Sequence, residues 1–189
     1  MNKIFYGQHY IDREDITAVK KTLKNPLITT GPLVQLFEKK ISNYVGAKKT
    51  IVCNSGTAAL HIAFKTINLK ENDVVLMPAV NFISSYSMAK QFKANIFLCD
   101  VDKYTGLITP ETIIECIKKN KLKKIKCIVT MHLGGLVKNV KSFFKIKKKY
   151  KCFLIEDACH AFGSKYKDGK KEYMIGSCKH SDIACFSFH

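Results

Sequence analysis

Residues 152–160, Cys152-Phe153-Leu154-Ile155-Glu156-Asp157-Ala158-Cys159-His160, decide the fold class of this chain. The run begins with consecutive apolar side chains, so a strand here would be apolar on both faces. Such strands belong to parallel sheets that helices cover on both sides. The acids that close the run fall at the carboxyl end of the strand, where such sheets bind ligands. The stretch therefore predicts an α/β sheet with a binding site at its strand ends.

Short apolar runs alternate with helical patterns along the rest of the chain, which indicates βαβ units. Asp12 and Thr109 are predicted helix N-caps, and Gly46 is a predicted helix stop. We predict a three-layer α/β sandwich with a mostly parallel sheet over residues 46–189, after an N-terminal helical arm over residues 1–45. The predicted strands are 50–53, 74–78, 95–100, 126–132, 152–157 and 183–187, and the predicted helices are 13–24, 33–44, 57–68, 84–92, 110–120 and 139–150.

The composition is that of a globular protein, with 47% hydrophobic and 25% charged residues. The net charge is +17, but Arg13 is the single arginine. Specific nucleic-acid readers rely on arginine for base contacts, so the lysines are interpreted as solvated helix faces or as an attraction for anionic small substrates. No run approaches the roughly 18 apolar residues of a membrane span, and the N-terminus lacks the apolar core of a signal peptide. We expect a cytoplasmic protein without a nucleic-acid or membrane partner.

The eight cysteines favour buried free thiols over a metal site. No CxxC pair occurs, and no spacing matches a zinc finger. Most of the cysteines lie inside apolar runs, as free thiols do in a reducing cytoplasm. No metal is expected.

The segment Asn54-Ser55-Gly56-Thr57 follows a predicted strand and opens a predicted helix. Gly56 permits close approach of the backbone, and helix N-terminal amides with the Ser55 and Thr57 hydroxyls can hold a phosphate. Taken alone, an ordinary strand-to-helix turn is the commoner interpretation. The segment does not match the P-loop pattern.

Three other side chains lie at predicted strand ends. Asp157 needs a partner because an unpaired buried carboxylate is costly. A protonated pyridine nitrogen is one such partner; a metal shared with His160 is a weaker option, and capping of the next turn is the plain one. Phe82 could stack on a cofactor ring, although a core phenylalanine is commoner. Ser187 could reach a phosphate, or could be an ordinary strand serine.

The order and spacing of these motifs resemble the DegT/StrS family of sugar-nucleotide aminotransferases, which depend on pyridoxal 5'-phosphate (PLP). The resemblance covers about residues 6–189. It implies fold type I of the PLP transferases, with a large domain like that of aspartate aminotransferase, and a homodimer. The motifs that carry it are Leu27-Ile28-Thr29-Thr30-Gly31-Pro32, Asn54-Ser55-Gly56-Thr57-Ala58-Ala59-Leu60, Pro78-Ala79-Val80-Asn81-Phe82, Glu156-Asp157-Ala158-Cys159-His160-Ala161-Phe162-Gly163 and Ser181-Asp182-Ile183-Ala184-Cys185-Phe186-Ser187-Phe188-His189.

The resemblance also implies a role for each site residue. Gly56, Thr57 and Ser187 match the residues that bind the PLP phosphate. Phe82 matches the aromatic that stacks on the ring, and Asp157 the acid paired with the pyridine nitrogen. His160 matches the residue beside the PLP hydroxyl, and Asp157 and His160 are therefore the expected catalytic residues. Tyr6, Leu27, Ile28 and Thr29 match positions that line the sugar-nucleotide pocket.

The implied activity is transfer of an amino group from glutamate to a UDP-linked 4-keto-6-deoxy sugar, for a surface or flagellar glycan. Gly176-Ser177-Cys178 and the tail 186–189 most resemble a branch that aminates C4 of the sugar. The family's tail reads Ser-Phe-His-x-x-Lys, and its lysine carries the cofactor. Lys179 is no substitute because it precedes the strand. We expect an N-terminal fragment, with its C-terminal part missing, that does not transaminate alone; the alternative is a non-catalytic remnant or binding-only relative.

Overall fold

The computed structural model describes residues 9–188. Its contacts divide the chain into two units, Met1–Phe37 and Glu38–His189. Helix α1 (Arg13–Leu23) lies in the first unit, and helix α2 (Pro32–Val45) begins there and ends in the second. As predicted, Asp12 caps α1 and forms a capping box with Asp15. Gly46 follows α2 with a φ of 76°, so the predicted helix stop is confirmed.

The second unit alternates strands and helices. Their bounds are α3 (Gly56–Thr66), β1 (Val74–Pro78), α4 (Ser84–Gln91), β2 (Asn95–Cys99), α5 (Pro110–Lys119), β3 (Cys127–Met131), α6 (Val140–Tyr150), β4 (Phe153–Asp157), β5 (Lys165–Asp168), β6 (Lys171–Met174) and β7 (Ile183–Cys185). Thr109 caps α5, which has Pro110 at its first turn, as predicted. The β5–β6 hairpin is not predicted from the sequence, because its strands are short and polar; Asp168 and Gly169 at its turn were the available signal.

The main sheet has the strand order β2-β1-β3-β4-β7, and every adjacent pair is parallel. The register places Met131, Asp157 and Cys185 side by side at the carboxyl ends of β3, β4 and β7. Polar groups that follow these strands therefore meet at one edge of the sheet.

Two apolar clusters lie on opposite faces of the sheet. One packs α3 and α4 against Val75, Val129 and Ile155. The other packs α5 and α6 against alternate strand residues such as Ile128 and Leu154. The predicted three-layer α/β sandwich with a mostly parallel sheet is confirmed.

The predicted strand at 50–53 is wrong. The segment pairs with no strand within residues 9–188. The Val52 N–H donates instead to Glu38 Oε1 at 2.9 Å, so a side chain of α2 takes the place of a neighbouring strand. The predicted strand at 183–187 is shorter, since β7 ends at Cys185 and Ser187 lies beyond it. No helix in the described part of the chain is long and apolar enough to cross a membrane.

Candidate cofactor site

Asp157 is a buried carboxylate at the end of β4, with 2% of its surface exposed. The Ser85 hydroxyl donates to Oδ2 at 3.1 Å, and the Cys159 N–H donates to Oδ1 at 3.4 Å. Within residues 9–188 the carboxylate forms no ion pair. Two neutral donors leave room for a further, cationic partner, which a buried anion requires.

The start of α3 forms a small cradle against the segment after β7. Ser55 caps α3 by accepting the Ala58 N–H at 3.1 Å. A Cβ added to the buried Gly56 would lie 3.1 Å from Ser187 Cβ and 3.2 Å from Cys159 Sγ. Glycine thus keeps this space clear of side-chain atoms. The fold brings together Gly56 and Ser187, which are far apart in sequence.

The first residues of α4, with the loop before it, connect the cradle to Asp157. Ser84 Oγ lies 2.6 Å from Thr57 Oγ1, and the next residue, Ser85, donates to Asp157. Asn81 Nδ2 donates to Ser85 Oγ at 3.1 Å. Of this region only Phe82 is singled out from the sequence as a site residue; the two consecutive serines that begin α4 were the available signal for the rest.

Phe82 and His160 are both on the surface. Phe82 is 69% exposed, so it is not the core phenylalanine that its apolar character alone suggests. His160 is exposed, and its Nδ1 accepts the Gly134 N–H at 3.3 Å. No group of three metal-ligating side chains exists among the residues that the structure describes.

The residues predicted for the sugar pocket are not all placed. Tyr6 lies outside the described residues. Leu27, Ile28 and Thr29 lie between α1 and α2 in the first unit, and all three are exposed.

Two thiols beside Asp157 are held neutral. Burial, followed by the charge of Asp157, raises the pKa of Cys159 to about 12. The same two causes raise the pKa of Cys185 well above its usual range. A thiolate would add a second negative charge, so protonated thiols leave the carboxylate as the anion at this edge of the sheet.

A separate polar cluster occupies the opposite face of β4. Glu156 is buried, its Oε2 accepts the Ser181 hydroxyl at 2.9 Å, and its Oε1 lies 3.4 Å from His132 Nε2. It therefore offers a second buried serine–carboxylate pair for comparison with Ser85 and Asp157.

A parallel sheet with a buried acid and a glycine-lined helix start at its strand ends is an arrangement suited to binding an anionic ligand there. Residues 9–189 match the DegT/DnrJ/EryC1/StrS aminotransferase family, and the chain belongs to that family. Members of this family use PLP, so the family and cofactor expected from the sequence are confirmed.

Individual relatives agree with this assignment. The chain is 35% identical to the uncharacterised protein MJ1066 of Methanocaldococcus jannaschii, over 95% of this chain and 44% of the relative. It is 36% identical to the UDP-4-amino-4,6-dideoxy-N-acetyl-beta-L-altrosamine transaminase of Campylobacter jejuni, over 98% of this chain and 47% of the relative. The PLP form of Spr1654 of Streptococcus pneumoniae, assigned as a sugar aminotransferase, superposes with a TM-score of 0.87 at 27% identity, over 100% of this chain and 49% of that one.

The chain spans about half the length of the curated relatives it matches. Spr1654 has been solved in PLP and PMP (pyridoxamine phosphate) forms. The residues present here fit such a group, because a buried acid with no cationic partner among residues 9–188 and a cradle that a Cβ would fill lie at the same sheet edge.

Proposed function

We propose that this chain carries the PLP-binding part of a sugar-nucleotide aminotransferase. The observation that carries the proposal is the pairing of a buried Asp157 with the Gly56–Ser187 cradle at one edge of the sheet. One group is suited to a protonated ring nitrogen, and the other to a phosphate.

Asp157 holds the pyridine nitrogen in its protonated form. The buried carboxylate offers a full negative charge to the ring, and a charge-assisted hydrogen bond is among the strongest that a side chain makes. Phe82, exposed in the loop between β1 and α4, would stack on the ring face. His160 lies beside the ring hydroxyl, with its orientation fixed by the Gly134 N–H.

Gly56, Thr57 and Ser187 bind the phosphate. The first N–H groups of a helix have no partner within it, so the amides of Gly56 and Thr57 at the start of α3 are suited to bind the phosphate. The positive end of the helix dipole favours an anion there. Thr57 is held against Ser84, so the phosphate turn is tied to the α4 side of the site.

A bound PLP would supply the chemistry for moving an amino group from an amino acid to a keto sugar. We propose glutamate as the donor and a UDP-linked 4-keto-6-deoxy sugar of the pseudaminic-acid type as the acceptor. The Campylobacter relative supports this choice, since its own name is that of a UDP-sugar transaminase. Tyr6 and residues 27–29 of the N-terminal arm, 1–45, line the sugar pocket of a cytoplasmic homodimer.

The cofactor part of the proposal is tested with PMP and the 189-residue chain. PMP carries no aldehyde, so it cannot react with the many surface lysines as PLP would. Binding is measured by fluorescence titration and calorimetry. We expect Asp157→Asn to weaken PMP binding by about tenfold or more, because a hydrogen bond to a charged group contributes about 1.5–3 kcal/mol.

Asp182→Asn is the matched control. The Asp182 carboxylate also accepts two hydrogen bonds, from Lys147 Nζ at 2.6 Å and from the Leu154 N–H at 2.8 Å. It lies directly before β7, at the end of the strand away from the proposed site. This change should lower stability and leave PMP affinity unaltered. Absence of PMP binding to the unmodified chain, or equal effects of the two changes, would contradict the proposal. Transamination is assayed in a protein that also supplies the family's lysine. Glutamate and the keto sugar are the substrates, and the 2-oxoglutarate that forms is measured.

A further inference from the structure

The first two residues of α4, Ser84 and Ser85, direct their hydroxyls away from their own helix. Serines at a helix start commonly bond the free amides of that helix. Here Ile83 is the N-cap and makes no side-chain capping bond. Ser84 Oγ pairs with Thr57 Oγ1, and Ser85 Oγ donates to Asp157 Oδ2. Consecutive residues thus contact the phosphate end and the ring end of the proposed site.

Ser85 belongs to a directional chain of hydrogen bonds. The Phe82 N–H donates to Asn81 Oδ1 at 2.7 Å, and Asn81 Nδ2 donates to Ser85 Oγ at 3.1 Å. An amide N–H can only donate, so the hydroxyl accepts from Asn81 and its single proton is left for Asp157. Ser85 is 0% exposed, so water does not compete for that proton.

We infer that Ser85 is a positioning residue for Asp157, and that Asn81 sets the direction in which its hydroxyl donates. This inference rests on the proposed function. Asp157 needs a fixed carboxylate plane to meet a ring nitrogen, and it is held at both oxygens, by Ser85 and by the Cys159 N–H. Loss of the Ser85 bond frees one oxygen to rotate and leaves a buried anion with one donor fewer.

The same chain joins the two groups that contact the ring. Asn81 fixes the backbone of Phe82, which would lie over the ring face, and through Ser85 it fixes Asp157, which would meet the ring edge. The relative placement of face and edge contacts is therefore set by one loop residue and one buried hydroxyl.

A comparison of two ligands and two serine positions distinguishes a role of Ser85 in positioning Asp157 from a general effect on the stability of the fold. The ligands are PMP and its 1-deaza analogue, in which C–H replaces the ring nitrogen and removes the partner of Asp157. Ser85→Ala is compared with Ser181→Ala, which removes another buried hydroxyl from the neighbouring carboxylate of β4, Glu156. Ser85→Thr restores the hydroxyl. If Ser85→Ala does not fold, Ser85→Cys replaces it, since a thiol fills the same space and is a weak donor.

We expect Ser85→Ala to weaken PMP binding about tenfold and to change the affinity for the 1-deaza analogue little. Ser85→Thr should recover most of the PMP affinity, and Ser181→Ala should bind both ligands as the unmodified chain does. Equal weakening of both ligands by Ser85→Ala would overturn the inference, because it would indicate a displaced helix. So would unchanged PMP binding. An unmodified chain that binds no PMP would overturn the proposed function, and this inference with it.

Discussion

Substitution of Gly56 by alanine tests whether the start of α3 is the phosphate site. The new Cβ would lie 3.1 Å from Ser187 Cβ, 3.2 Å from Cys159 Sγ and 3.4 Å from Ser187 Oγ. These contacts are tight rather than impossible, so the surrounding atoms shift by a few tenths of an ångström. The methyl group therefore enters the space that a phosphate oxygen would use, and the fold is retained.

The stability terms partly offset each other. Alanine is better than glycine in a helix by up to about 1 kcal/mol, and crowding in a packed region costs about 1–3 kcal/mol. A net loss of about 1–2 kcal/mol is expected. Binding has no such compensation, because a displaced phosphate loses a charged hydrogen bond of about 1.5–3 kcal/mol, which is about 10- to 100-fold in affinity.

The assay is titration with PMP and with pyridoxamine, which lacks the phosphate. Gly56→Ala should weaken PMP binding and have little effect on pyridoxamine. Gly169→Ala is the control: the φ of Gly169 is +62°, and an added Cβ would meet nothing within 4 Å. The change therefore costs about 1 kcal/mol through backbone strain and should spare PMP binding. Unchanged PMP affinity in Gly56→Ala, or an equal loss for both ligands, would refute the reasoning.

Two further predictions concern the thiols. The pKa of Cys159 is raised to about 12 by burial and by the charge of Asp157. The rate of its alkylation by iodoacetamide, followed by peptide mass spectrometry, should therefore rise about tenfold per pH unit from pH 8 to pH 10, and PMP should slow it. A rate that reaches a plateau near pH 9 would contradict this prediction. Burial raises the pKa of Cys152 from 9.0 to about 11, so the unfolded thiol ionises first and stability is lost as pH rises from 9 to 11, by up to about 3 kcal/mol. Urea unfolding at pH 8 and pH 10 measures the first half of this loss, about 1.4 kcal/mol. Cys152→Ala should reduce the difference in unfolding free energy between the two pH values, and an unchanged difference in that variant would contradict the prediction.

Local sequence predicted much of the sheet. Apolar runs such as 126–132 and 152–157 are buried on both faces, so their pattern needs no knowledge of neighbours. Segment 50–53 has the same apolar character, but its pairing depends on what lies beside it, and Glu38 takes that place. The β5–β6 hairpin is short and polar, and its cross-strand pairs rather than hydrophobicity hold it together.

The sequence by itself determined the fold class, the family resemblance and the residue types of the site. Glycine before a helix and acid after a buried strand follow from local backbone geometry and from the cost of an unpaired charge, and both are visible in order along the chain. Only the tertiary structure decided that Ser187 meets Gly56 and that Ser85 reaches Asp157. These partners are separated by long stretches of sequence, and strand register, which no local pattern encodes, brings them to one edge of the sheet.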